Sequence, residues 1–116
     1  MTAFEDLIAD ALEHFLVIAL VDEQNNVVAE SARAGLDAES ASAPVETARR
    51  IFNNPESRRA LQNLQESLFY DLDGRRLVCR PVQFRGQPHL LIILAAAERA
   101  YRRALNTLVR RLPTVE

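Results

Sequence analysis

The residues able to do chemistry are few, and their spacing is poor for it. The single cysteine, Cys79, has no partner for an internal disulfide, and His14 and His89 are too distant in sequence from it and from each other for a usual zinc-ligand pattern. Cys79 alternates with Leu77 in an apolar run, where a half-buried hydrophobe is expected; a reactive thiol would need a lowered pKa, which Arg76, Arg80 and Arg85 nearby could supply. His14 closes an amphipathic stretch, where an imidazole suits the carboxyl end of a helix, and His89 opens an apolar one. Asp71 and Asp73 have the spacing of a paired-carboxylate site. Asp73-Gly74, however, is also the dipeptide of a tight hairpin turn, which assigns Asp73 to the turn. Serines 31, 40, 42, 57 and 67 lack a GxSxG context. All fourteen basic residues are arginine, so a GK[ST] phosphate loop and a Schiff-base lysine are excluded, and three scattered glycines exclude GxGxxG. These residues predict no enzyme, no metal and no cofactor.

The rest of the chain must therefore supply a shape rather than a reaction. It has 116 residues, 48% apolar and 26% charged, which is one globular domain with one core's worth of material. The longest apolar runs, 15–21 and 90–97, fall far short of the roughly 20 residues of a membrane span, and the acidic start Met-Thr-Ala-Phe-Glu-Asp argues against a secretory signal. A reducing, cytoplasmic location is expected. Net charge is −2, but residues 1–73 hold five arginines and fourteen acids, net −9, and residues 74–116 hold nine arginines and two acids, net +7. The arginine-rich end could dock an acidic partner or a nucleic acid, whose binding would weaken steeply with salt. Sparse aromatics argue against single-stranded nucleic acid, and packing of the acidic first helix beside the basic last one accounts for the asymmetry more simply.

Periodicity supplies the elements. Thr2 and Glu5 have capping-box spacing, and Phe4, Leu7, Ile8, Ala11 and Leu12 follow on one face, predicting a helix over 3–14. Residues 16–21 and 27–31 read as two strands of a hairpin. Residues 32–43 carry almost no large apolar group and read as a mobile loop, with Pro44 in the first turn of the next helix. Asn53-Asn54-Pro55 ends that helix, and Asn54 caps another whose apolar stripe is Ala60, Leu61, Leu64 and Leu68. Residues 68–72 and 76–80 flank Asp73-Gly74 as a second hairpin, and Gln83 to Gln87 turn the chain into a fifth strand over 88–96. An amphipathic helix from Glu98 to Pro113 closes the sequence.

Strands one and five are apolar at every position, which requires cover on both faces and places them at the sheet centre. The expected fold is α/β of the α+β type: an antiparallel sheet in the order 2-1-5-4-3, with the terminal helices on one face and the middle helices on the other. Strand three, with Phe69 and Tyr70, is then a hydrophobic edge that invites pairing with a second copy.

This succession, from Leu16–Ser31 through Leu68-Phe69-Tyr70-Asp71, Arg76 to Val82 and His89 to Leu94 to the closing helix, resembles the roadblock family of dynein-light-chain-type proteins over nearly the whole chain. The resemblance implies a non-enzymatic homodimer joined through strand three and the middle helix, acting as a scaffold or regulator for a small Ras-like GTPase; bacterial members include regulators of the gliding-motility GTPase. Carried over by element, it puts Leu64, Leu68, Phe69, Tyr70 and Asp71 at the dimer interface. Arg58, Arg59, Gln62 and Gln65 become exposed candidates for contact with the partner protein. A PAS-type sensor shares the strand order and has short helices after its second strand. It would need an apolar void between the middle helices and the sheet.

Overall fold

A computed structural model describes residues 4–63, 66–71, 73–97 and 99–114. In chain order the elements are α1 (Phe4–Ala11), β1 (Val17–Val21), β2 (Val27–Ala32), α2 (Ala38–Phe52), α3 (Pro55–Gln62), β3 (Ser67–Tyr70), β4 (Arg76–Phe84), β5 (Gln87–Ala95) and α4 (Arg102–Arg111), with a 3-10 turn over Leu112–Thr114. The five strands form one antiparallel sheet in the order β2-β1-β5-β4-β3. All of β1 is buried, as is β5 from Leu90 onward, as two uninterrupted apolar runs require.

Because side chains alternate across a strand, the sheet feeds two cores. Ile18, Leu20, Val78, Leu91 and Ile93 pack with Leu7 and Ala11 of α1 and Leu105 and Leu108 of α4. Val17, Ala19, Leu77, Cys79, Leu90, Ile92 and Leu94 pack with Val45, Ala48 and Phe52 of α2 and Leu61 of α3. Each fully buried leucine or isoleucine contributes about 1.5–3 kcal/mol. The terminal helices therefore cover one face and the middle helices the other. Acidic α1 and basic α4 also meet directly, with Arg111 Nη1 3.4 Å from Asp10 Oδ2.

Four local expectations need correction. Residues 38–43 are helix, not loop. Asp37 caps α2, its carboxylate accepting the Ser40 N–H at 2.7 Å, and Pro44 lies six residues inside the helix rather than in its first turn. Small residues made this half invisible to hydrophobic periodicity because it buries little. Second, α1 ends at Ala11 rather than 14, and the expected cap Thr2 lies outside the described residues. Third, Ala60 is exposed, and among the described residues of α3 only Leu61 is fully buried.

The fourth correction concerns the hairpins. The two-residue turn is Arg85-Gly86, both at positive φ (+52° and +76°), between the paired Phe84 and Gln87. The β3–β4 connection is longer. The Gly74 N–H donates to the Asp71 carbonyl at 3.2 Å, the Asp71 N–H donates to the Arg75 carbonyl at 3.0 Å, and Gly74 takes φ +81°, the left-handed conformation that glycine adopts without strain. The two middle helices agree with expectation, with Asn54 accepting the Glu56 N–H at 2.8 Å and Pro55 in the first turn.

Candidate interaction surface

The sheet ends at β3, whose residues run intermediate, intermediate, exposed, exposed. Phe69 is 36% exposed and Tyr70 69%; with Val28 they are the exposed large hydrophobic residues among those described. Leu68 pairs with Val78 and packs toward the α1/α4 core, whereas Phe69 pairs with Leu77 on the α2/α3 side. Beside Phe69 and Tyr70 runs a groove of about 280 Å³, walled on α2 by Ser40, Ala43, Pro44 and Thr47. The first half of α2, expected as part of a loop over 32–43, is the element that lies beside this edge. No apolar periodicity marks it, although Asp37 is of a residue type favoured at helix N-caps.

Both ends of β3 are fixed. Just before it, Glu66, whose side chain is 12% exposed, accepts from the Tyr101 hydroxyl at 3.1 Å and lies 3.2 Å from Arg102 Nη1. Arg76 stacks on the Tyr101 ring, 4.9 Å from its centroid, and donates to the carbonyls of Ala96 and Arg99. Desolvation, with the Glu66 hydrogen bond adding to it, pushes the Tyr101 pKa up. This cluster ties the start of β3 to the head of α4, and no spacing in the sequence announces it. After β3, the Asp71 carboxylate accepts the N–H groups of Asp73 and Arg75, both at 2.9 Å. Asp71, rather than Asp73, therefore supplies the carboxylate that holds the turn, because its position starts the turn.

The other candidate residues are dispersed. Arg58 is half-buried, not exposed: its Nη2 donates to the Asp22 carbonyl at 3.0 Å, and burial pushes its pKa down. Arg59 is exposed on α3, next to the β1–β2 loop and away from the groove at β3. Leu64 and Gln65 lie outside the described residues, as does the side chain of Gln62. Cys79 is fully buried opposite Ile92 and Ser67, and burial pushes its thiol up to about 12, so it packs as a hydrophobe. His89 Nδ1 lies 3.0 Å from the Gln87 carbonyl and its ring meets Phe84 edge-on, while the ring of His14 lies edge-on to Phe15. Among the described residues no group of three or more His, Cys, Asp or Glu is placed to hold a metal, and no helix is long and apolar enough to cross a membrane.

Val45, Ala48, Phe52 and Leu61 fill the layer between the middle helices and the sheet, where a sensor would need its void. An apolar cleft of about 270 Å³ does exist, but on the opposite face, between Phe4, Ile8 and Leu12 of α1 and the sheet residues Leu20 and Ala29.

No family model matches the sequence, and no curated protein matches it. Solved structures do match. MglC from Myxococcus xanthus superposes with a TM-score of 0.70 at 12% identity, over 97% of this chain and 98% of that one. A Roadblock/LC7 domain from Streptomyces avermitilis gives 0.62 at 18% identity, over 97% and 93%. MglB from Myxococcus xanthus gives 0.62 at 14% identity, over 94% and 87%, and MglB is also seen in a tetrameric arrangement. At these identities the likeness establishes a shared fold across almost the whole chain, the one expected from element order.

Proposed function

We propose that this chain is a roadblock-family domain: a non-enzymatic, homodimeric scaffold or regulator that binds a small Ras-like GTPase or a related protein in the cytoplasm. The observation that carries the reading is the uncovered β3 edge, where Phe69 and Tyr70 are exposed on a strand anchored at both ends. A strand held this firmly, uncharged from Ser67 to Tyr70, is a template for another strand. A second copy is the simplest partner, since one patch then serves both sides of a twofold interface. The fold shared with MglC, MglB and a Roadblock/LC7 domain supports a regulatory rather than a catalytic role.

Arg59, exposed on α3, is the contact proposed for the GTPase; Arg58 is already committed to the Asp22 carbonyl. The test is calorimetric titration of a Ras-like GTPase from the same cell, loaded with GDP or with a non-hydrolysable GTP analogue. Wild type should bind, and Arg59→Glu should weaken binding at least tenfold with its own mass in solution unchanged. Absence of binding in both nucleotide states contradicts the GTPase assignment and leaves the dimer to be judged separately.

A further inference from the structure

On the α1 side of the sheet, β2 sets small side chains beneath a helix that carries large ones. Ser31 pairs with Ile18 and Ala29 with Leu20; since Ile18 and Leu20 face α1 and α4, so do Ala29 and Ser31. Phe4, Ile8 and Leu12 stay half-buried, because two short side chains do not reach them. The mismatch leaves the apolar cleft of about 270 Å³ between α1 and β2, open to solvent. The charged residues bordering it are Glu5 of α1 and Glu30 of β2, both exposed and, among the described residues, neither paired with a cation. Arg33, two residues beyond Ser31, is bound instead to the Leu12 carbonyl, 3.0 Å from its Nε.

We propose that this cleft is a separate docking site, which takes one large apolar side chain, flanked in sequence by arginine or lysine, from a segment of another protein. Its size favours an anchoring side chain over a free ligand. Pockets that enclose small molecules run roughly 300–1,000 Å³, and this one is smaller and open. A few buried apolar or aromatic anchors carry most of the binding energy of protein interfaces. Charge selects the neighbours of the anchor. A fatty-acid or phosphate head group would meet two carboxylates, whereas a flanking cation pairs with them. The segment enters by its side chain and not as a sixth strand, because the register slip between Leu20 and Val21 and the exposed Glu30 disfavour pairing along β2. A second copy fits poorly: its exposed aromatics, Phe69 and Tyr70, lie between Leu68 and Asp71, with no cation adjacent in sequence. The cleft lies on the face away from α2 and at the sheet edge opposite β3, so its occupancy does not depend on self-association.

The probe is the peptide acetyl-Arg-Trp-Arg-amide, titrated into isotope-labelled wild type and followed by amide chemical shifts. Saturable shifts should centre on Ile8, Leu12, Ala29 and Ser31, and binding should be at least tenfold tighter than that of acetyl-Glu-Trp-Glu-amide. Ala29→Leu, which fills the cleft, should weaken the basic peptide at least tenfold. Where that variant fails to fold, Glu5→Gln combined with Glu30→Gln keeps the cavity and should cut the preference for the basic peptide to less than threefold. Equal affinity of wild type for the two peptides, or shifts centred elsewhere, overturns the proposal. Tighter binding of decanoate than of the basic peptide also overturns it and makes the cleft a lipid site. Any of these failures leaves the dimer and the GTPase reading standing, since neither uses this cleft.

Discussion

The sheet has two edges, and they differ in every feature that governs whether an edge strand pairs. At β2 the register slips between Leu20 and Val21, with Val21 opposite Val27 and Leu20 opposite Ala29, so Val28 is the extra residue of a bulge. Glu30 is exposed in mid-strand. A bulge and a charge are the usual means of discouraging a further strand. At β3 the register is regular, there is no charge from Ser67 to Tyr70, and the exposed residues are aromatic. Both edges expose large apolar side chains, Val28 at 47% on β2 and Phe69 at 36% with Tyr70 at 69% on β3, so the presence of such a residue does not by itself separate them. Backbone regularity and charge separate them, and they leave β3 as the edge fit for a partner.

The largest effect should come from removing the outward donor of β3. Tyr70→Pro deletes an N–H that β4 does not use, together with the most exposed aromatic, and should raise the dimer dissociation constant at least a hundredfold in sedimentation velocity. Val28→Asp, the matching insult at the other edge, should change it less than twofold. Next comes the turn that presents β3. Asp71→Ala strips acceptors from the Asp73 and Arg75 N–H groups and should cost about 1 kcal/mol in urea denaturation, since both bonds are exposed. Glu30→Val should sharpen the contrast from the opposite side by making β2 more like β3, visible as weak, concentration-dependent association beyond the dimer.

The smallest effect is a pH dependence at the β2 end. The Asp22 carboxylate accepts the N–H groups of Asn26 and Gln24, both at 2.9 Å, and the Asn26 bond foremost holds its pKa below the ordinary value of 3.8. A carboxyl lowered by folding stabilises the native state at pH above its unfolded value, and that contribution is lost as pH falls through the folded value. Asp37, lowered mainly by the Ser40 N–H, acts in the same direction. Thermal melts below about pH 4 should therefore lose stability less steeply in Asp22→Asn than in wild type.

What could be read from the sequence follows what each feature depends on. Central strands announce themselves, since burial on both faces demands continuous apolar runs, and β1 and β5 have them; sheet order and the two helical layers follow. The first half of α2 left no such trace, because Ala38 to Ala43 form a helix that one Asp37 cap starts and little burial reinforces. Asp73-Gly74 marked a real turn but not its type, since Asp71 begins it; Arg85 gave no sign of the positive φ it adopts. At the candidate surface, the exposure of Phe69 and Tyr70 follows from their place on an edge. The reach of Arg58 to Asp22 and of Glu66 to Tyr101 spans 36 and 35 residues and exists only once the fold does.

The solution mass of the wild-type chain, measured by light scattering across a dilution series with Tyr70→Asp alongside, tests the central claim most directly. Wild type should have twice the 13.1 kDa chain mass and the variant the single-chain mass. A wild type that stays at the single-chain mass at every concentration, or a variant that remains dimeric, would contradict it.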